Sequence, residues 1–183
     1  YYCSKNNNNF TRIKYLKDLY SHAFIIIPIR EPLSHANSLL KQHKHFSYIQ
    51  TKNRFILDYM TDIGHYEFGL NHRPFNFNKF NLNNYDKNSI NYWLEYWICS
   101  YSHIFQNYDK CIFVSLEDLV NSPNSSMKII FKKLGLELPA IDFSIFFKKS
   151  ENNLTTDAFD KELYDRALKI YNKMINLKIT KSI

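Results

Sequence analysis

Glycine is scarce in this chain of 183 residues, which has three glycines, the first of them Gly64. Loops that wrap a nucleotide phosphate use glycine because the backbone must approach the anion closely. Residues 1 to 63 therefore contain neither a Walker-type segment nor a G-x-G-x-x-G turn. A glycine-rich phosphate loop is excluded from the first third of the chain.

Cysteine is equally scarce, and Cys3, Cys99 and Cys111 show no paired spacing. This argues against a disulfide framework and against a C-x-x-C metal site, and it predicts a reducing, cytoplasmic location. No apolar run approaches the ~18 residues of a membrane span, and no signal peptide is visible. The chain begins at Tyr1 without a Met. A further segment upstream is therefore left open.

The chain is rich in hydrophobic side chains (45%) and in aromatic ones (17%), which is typical of a globular protein. Its length suits a single domain over residues 1 to 183 around one sheet. Residues 1 to 54 hold nine Lys and Arg against two acidic residues, which accounts for the whole net charge of +7. A polyanionic ligand is the expected partner. Nucleic acid ranks lower, because the basic residues are scattered and no nucleic-acid-binding signature is visible.

The segment FIIIPIREPLSHANSLL, residues 24 to 40, is the centre of the predicted fold. Its apolar run from Phe24 to Ile29, in which four of the residues are β-branched isoleucines, predicts a central strand covered on both faces. The apolar spacing from Leu33 to Leu40 predicts a helix. The order is strand, charged turn, helix, and ligands of open α/β sheets bind at such carboxyl ends of strands.

Arg30 ends this strand, and Ser38 lies on the second turn of the helix. A guanidinium fork and a hydroxyl so placed can converge on one phosphate-sized anion. The alternative is an Arg30 that pairs with Glu31 and a Ser38 that hydrogen-bonds back to its own helix.

Two stretches resemble one family, the sulfotransferases that use 3'-phosphoadenosine 5'-phosphosulfate (PAPS). Arg30 and Pro32 with Ser38 resemble its 3'-phosphate-binding motif. The run from FVSLEDLVNSP to FKKLGLELP, residues 113 to 139, resembles its aromatic-E-D-L strand end, x-x-P helix start and L-G-L close. Leu116 stands where the family has an aromatic residue that stacks on adenine.

The resemblance implies an α/β fold of three layers, with a central parallel sheet flanked by helices, like the P-loop NTPases. It implies that the first strand and the 5'-phosphosulfate loop lie upstream of Tyr1, so that this chain alone is expected to be inactive. The intact enzyme would transfer a sulfuryl group from PAPS to a hydroxyl or amine of a small molecule, glycan or peptide. Cys3-Ser4-Lys5-Asn6 resembles the family segment whose Lys lies near the transferring group, which gives Lys5 a catalytic role. The alternative is a solvated lysine near a chain end.

The segment GHYEFGLNHRP, residues 64 to 74, predicts an ordered loop and resembles the stretch after the 3'-phosphate helix in bacterial sulfotransferase-family proteins. His65, Glu67 and His72 are candidates for a general base or for the wall of the acceptor pocket. The alternative is that they only hold the loop in place by hydrogen bonds. Their spacing matches no metal motif, so no metal is predicted.

Patterns elsewhere predict further elements. They are a short helix after Thr11, a long helix whose apolar face includes Ile90, Trp93, Trp97 and Phe105, a buried strand over Cys111 to Val114, a helix with Pro123 in its first turn and Gly135 past its end, and a final helix carrying Leu163, Ala167, Ile170, Tyr171 and Met174 inward. Asn121 or Ser122 is the expected cap of the helix that begins near Pro123.

Two other functions stay open at this point. A non-catalytic module could bind a nucleotide or a protein partner, and the missing glycine loop favours it. A different phosphate-handling α/β enzyme, such as a nucleotide kinase, would need a Walker-type segment upstream and Mg²⁺.

Overall fold

A computed structural model describes residues 2–77, 82–148 and 158–180 and shows an α/β chain that is mostly helical. Within those residues the sheet has two parallel strands, β1 and β2. The elements are α1 (Ile13–Leu19), β1 (Ile25–Ile29), α2 (Pro32–Lys52), α3 (Arg54–Asp62), α4 (Ile90–Phe105), β2 (Cys111–Ser115), α5 (Leu116–Asn121), α6 (Pro123–Leu134) and α7 (Lys161–Leu177). Short 3-10 turns cover Asn7–Arg12, Leu82–Asn84, Tyr108–Lys110 and Phe143–Ile145.

The chain divides into two compact units. The first unit comprises Tyr1–Glu31, Ser102–Asn153 and Lys169–Ile183, and it contains the sheet. The second unit comprises Pro32–Tyr101 and Leu154–Leu168. The expectation of one domain over residues 1 to 183 stays a prediction.

Strand β1 differs from its prediction. Ile29 is fully buried, but Ile26 is 40% exposed and Phe24, just before the strand, is 54% exposed. Burial alternates along β1 because only one face packs inward, and a β-branched run is compatible with either kind of strand. Within the described residues β1 pairs only with β2 and is not central. The expectation of a central strand covered on both faces was therefore wrong.

Strand β2 is bordered on its other side by the C-terminal segment. The Ile179 amide donates to the Phe113 carbonyl at 3.0 Å, and the Ser115 amide donates to Thr180 Oγ1 at 3.2 Å. Successive residues of a parallel strand direct their backbone groups to opposite sides, so Val114 faces β1. Pro28 is paired with Val114, so the backbone groups of Pro28 point away from β2. Its missing N–H therefore costs no hydrogen bond between the two strands.

The other predicted elements are confirmed, with one correction at a helix cap. Helix α4 contains the whole predicted apolar face, β2 is buried, and Gly135 ends α6 with a φ of 66°. Ser122 occupies the N-cap of α6, but its side chain makes no capping hydrogen bond. Its backbone carbonyl accepts the Ser126 amide, which is the ordinary first hydrogen bond of the helix.

Helix α2 buries polar side chains that its sequence pattern did not single out. Ala36 and Leu40 are fully buried as expected, while His43 and Gln50 are 4% and 3% exposed. Buried polar groups require partners, and both side chains contact the loop after α3. In the part of the chain described here, no helix has both the length and the apolar character that a bilayer crossing requires.

Candidate functional site

The carboxyl ends of β1 and β2 lie side by side in the first unit. Ile29 is paired with Ser115 in the parallel register, and Arg30 is the next residue after β1. This is the edge at which open α/β sheets bind ligands. We call the polar group at this edge the strand-end cluster. Its members are Arg30, Glu31, Ser115, Glu117 and Tyr171.

Glu117 connects the two strand ends. Its Oε1 accepts a hydrogen bond from the Glu31 amide at 2.9 Å, and its Oε2 accepts one from Ser115 Oγ at 2.9 Å. Ser115 Oγ in turn accepts the Asp118 amide at 3.2 Å and caps α5. A carboxylate that accepts several hydrogen bonds holds its donors firmly, because bonds to ionised groups are stronger than neutral ones. The turn after β1 is thus held by a side chain from the segment after β2.

Tyr171 of α7 is the third group on this carboxylate. Its phenol hydrogen-bonds the Glu117 side chain. Burial raises the pKa of Tyr171 well above its ordinary range, and the negative charges of Glu117 and Glu31 raise it further. The phenol therefore stays protonated and acts as a donor.

The neighbouring Asp118 is held within the same unit. Its carboxylate lies 2.7 Å from the Lys178 ammonium, and its carbonyl accepts from Ser126 Oγ at 3.1 Å. Because the side chains of Asp118 and Lys178 are only 6% and 18% exposed, this ion pair is largely shielded from solvent. The charge of Asp118 is therefore compensated by an internal cation.

The predicted phosphate ligands belong to different units. Arg30 lies in the first unit and is partly buried, whereas Ser38 lies on α2 in the second unit and is exposed. Their convergence on one anion stays a prediction. Lys5, the predicted catalytic lysine, is exposed and lies just before the 3-10 turn Asn7–Arg12.

The loop of residues 64 to 74 brings two of the predicted catalytic side chains together. His65 Nε2 and Glu67 Oε2 are 3.6 Å apart, within ion-pair range but longer than a hydrogen bond. Their side chains are 38% and 26% exposed, so both reach solvent. Gly64 and Gly69 adopt left-handed backbone with φ of 69° and 89°, which allows the loop to turn sharply.

This loop is fixed by packing and by side chains of α2. Phe68 stacks on Phe46 and on the fully buried Trp93. The Gly69 amide donates to His43 Nδ1 at 3.2 Å, and the Leu70 amide donates to Gln50 Oε1 at 2.7 Å. The prediction of an ordered loop is confirmed. His65 and Glu67 are thus presented on a rigid support.

His72 is unsuited to act as a base. Its Nδ1 lies 3.2 Å from the Tyr66 carbonyl and therefore carries the proton, while its Nε2 accepts from the Tyr92 hydroxyl at 2.9 Å. Burial lowers the pKa of His72 to about 4. Both ring nitrogens hold the fold, as the alternative interpretation expected for this residue. In the described ranges, no group of three or more His, Cys, Asp or Glu side chains could hold a metal ion.

The sequence did not predict the side chains that hold the strand-end cluster and the loop of residues 64 to 74 in place. Glu117 was noted only as part of a family motif, and Tyr171 only as an inward residue of the last helix. The available signal for Glu117 was a carboxylate two residues after a buried strand. No local signal marked Gln50, whose partner amide is 20 residues away.

Comparison of the chain with models of protein families, with curated proteins and with solved structures found no match.

Proposed function

We propose that this chain forms part of a sulfotransferase that moves a sulfuryl group from PAPS to a hydroxyl or amine acceptor. One observation carries the proposal: the two stretches that resemble the family are joined by a hydrogen bond. The Glu31 amide, in the first stretch, donates to Glu117 Oε1, in the second. Residues 86 positions apart meet at the carboxyl ends of two parallel strands, where a nucleotide ligand is expected.

In this proposal Arg30 and Ser38 hold the 3'-phosphate of PAPS. The guanidinium offers a planar fork that fits phosphate oxygens, and the excess of positive charge in residues 1 to 54 attracts a polyanion. We also propose the full three-layer arrangement of the family.

The proposed reaction is a direct transfer. A bond forms between the acceptor oxygen or nitrogen and sulfur while the bond from sulfur to the bridging 5'-phosphate oxygen breaks. The acceptor proton passes to Glu67 or His65, and adenosine 3',5'-bisphosphate leaves. Lys5 would stabilise the charge that develops on the bridging oxygen. The transfer needs alignment and charge stabilisation, and it needs no metal or covalent enzyme intermediate.

The test is a pair of titrations of the full-length protein, one with adenosine 3',5'-bisphosphate and one with adenosine 5'-monophosphate. The bisphosphate should bind more tightly. Arg30→Ala should weaken its binding roughly ten- to a hundredfold, because hydrogen bonds to charged groups contribute about 1.5–3 kcal/mol each. Arg12→Ala, which removes an exposed arginine of the same unit, should leave it unchanged. If the unmodified protein binds both ligands equally, it has no 3'-phosphate site, and the proposed sulfotransferase function is contradicted.

A non-catalytic binding module is the second candidate, and the absence of glycine before Gly64 favours it. A sulfotransferase and a nucleotide-binding module both predict tight bisphosphate binding. They differ in turnover, so the full-length protein with radiolabelled PAPS and a mixture of phenol, amine and glycan acceptors separates them. A kinase would instead show ATP- and Mg²⁺-dependent transfer. With free cysteines at positions 3, 99 and 111, we propose a cytoplasmic location.

A further inference from the structure

We infer that Glu117 is a positioning residue that sets the backbone of Arg30 and thereby the direction of its guanidinium toward the 3'-phosphate. This inference rests on the proposed function, because it assigns Arg30 the anion described above. It concerns one unit only, since Arg30, Glu31, Glu117, Ser115 and Tyr171 all lie in the first unit.

The geometry of the peptide bond gives Glu117 this role. The Glu31 N–H belongs to the rigid peptide plane that begins at the carbonyl carbon of Arg30. When Glu117 Oε1 accepts that N–H at 2.9 Å, it fixes the orientation of the plane and so the ψ angle of Arg30. Buried Ile29 anchors the other side of Arg30 in the sheet. Arg30 is thus held at both of its backbone ends.

The Glu117 carboxylate is itself oriented by two further donors. Ser115 Oγ donates to Oε2 at 2.9 Å, and the protonated Tyr171 phenol adds a hydrogen bond from α7. A carboxylate can accept from all three donors at once, whereas a neutral amide can replace it only in part. Gln has one acceptor oxygen, so it can take the Glu31 amide but cannot also accept from both hydroxyls. Glu117→Gln therefore tests whether the carboxylate positions the turn or whether the side chain only fills space.

The first measurement follows the turn directly by NMR of the full-length protein without ligand. In Glu117→Ala, the Glu31 amide should lose its protection from hydrogen exchange, and the Arg30 Nε–H signal should move. Glu117→Gln should keep partial protection. The matched control is Glu137→Ala, which removes an exposed glutamate of the same unit and should change neither signal. Unchanged Glu31 protection in Glu117→Ala would overturn the inference.

The second measurement is the ratio of bisphosphate to monophosphate affinity. Glu117→Ala should reduce this ratio about tenfold, Glu117→Gln less, and Tyr171→Phe least. Combining Glu117→Ala with Arg30→Ala should cost no more than Arg30→Ala alone, because both changes remove one interaction. Additive losses, or a ratio that stays unchanged in Glu117→Ala, would show that Glu117 supports the fold without directing Arg30.

The two proposals fail in different ways. If the unmodified protein does not prefer the bisphosphate, the proposed function fails, and the orientation toward a 3'-phosphate fails with it. The Glu31 and Arg30 signals then show whether the contact with the turn survives. If the preference exists and Glu117→Ala keeps it, only the positioning role is lost. Should Glu117→Ala not fold, the ranking of Glu117→Gln against Tyr171→Phe decides, and an order opposite to the expected one contradicts the inference.

Discussion

The strand-end cluster of the first unit and the loop of residues 64 to 74 in the second unit both hold backbone N–H groups in place, but with acceptors of different charge. In each, a side chain from a distant element accepts backbone N–H groups. The acceptor at the strand ends is the carboxylate of Glu117. The acceptors in the loop are the neutral side chains of His43 and Gln50.

This difference matches the surroundings of the two places. The loop is packed against Phe46, Phe68 and Trp93, where an unpaired charge would be costly. The strand ends carry Arg30, Lys178 and several carboxylates, so a charged acceptor there has charged neighbours. A charged acceptor is stabilised there by the donors that bind it. A neutral acceptor suits a support whose task is to hold His65 and Glu67 still.

The largest expected effect comes from Gly69→Ala in the loop. A Cβ at this position would overlap the side-chain amide of Gln50, and the φ of 89° is unfavourable for any residue with a Cβ. Strain of about 1–3 kcal/mol adds to the cost of a displaced Gln50, so the free energy of unfolding should fall by about 3–5 kcal/mol. Denaturant titration measures it.

Gly64→Ala is the matched control for this change. Gly64 has a similar φ of 69°, but no atom lies within 4 Å of an added Cβ. Gly64→Ala should lower the free energy of unfolding by about 1–2 kcal/mol, because only the left-handed backbone is unfavourable there. Equal losses in the two variants would mean that Gln50 does not hold the loop, and the comparison between the two acceptors would fail.

The second expected effect is a loss of stability in acid that arises in the loop. The folded-state pKa of His72 is lowered to about 4, against an ordinary value of 6.5. Burial also lowers the pKa of His43. The unfolded chain therefore binds protons first, so this stability is complete above pH 6.5 and is lost as the pH falls toward 4. His72 alone should contribute about 2–3 kcal/mol between pH 7 and pH 4.5.

Urea titrations at these two pH values check the expectation. His72→Gln should make stability less dependent on pH, because the amide does not titrate. His22→Gln replaces an exposed histidine of the first unit and should leave the pH dependence as it is. If both variants keep the full dependence, the acid response has another source.

The sequence predicted most elements but few of the contacts that organise the candidate sites. Periodicity and end signals located α4 and α6, because each side chain there reports its own environment. Burial of β1 was overestimated, since a β-branched run does not reveal how many faces are covered. The bonds of Glu117 to Glu31 and of Gln50 to Leu70 were not predictable. They join residues that are distant in sequence, and their geometry depends on the packed fold.

The third expected effect contrasts two ion pairs, one in each unit. The Lys178–Asp118 pair is 18% and 6% exposed, whereas the Arg54–Asp58 pair on α3 is 80% and 51% exposed. Lys178→Met should cost about 2 kcal/mol, because it leaves Asp118 largely buried without its cation. Arg54→Met should lower the free energy of unfolding far less, because solvent screens an exposed ion pair. If denaturant titration shows similar losses of unfolding free energy in the two variants, the buried ion pair near the strand ends does not stabilise the fold more than an exposed one.

The smallest expected effect compares two helix N-caps, where the role of side-chain acceptors can be tested in isolation. The Asn53 side chain accepts the Phe55 amide at 3.0 Å at the start of α3. Ser122 occupies the same position before α6 without such a bond. Asn53→Ala should therefore lower the free energy of unfolding by about 1 kcal/mol, and Ser122→Ala should change it by much less.

Thermal and urea unfolding of both variants provide the measurement, with hydrogen exchange of the Phe55 amide as a local check. In Asn53→Ala that amide should exchange faster. Its N–H loses the only acceptor described for it, and the first turn of a helix offers no carbonyl in exchange. A loss in Ser122→Ala as large as in Asn53→Ala would show that Ser122 does cap α6 in solution. Neutral side-chain acceptors would then stabilise both units. The difference between the charged acceptor of the first unit and the neutral acceptors of the second would depend on Glu117 alone.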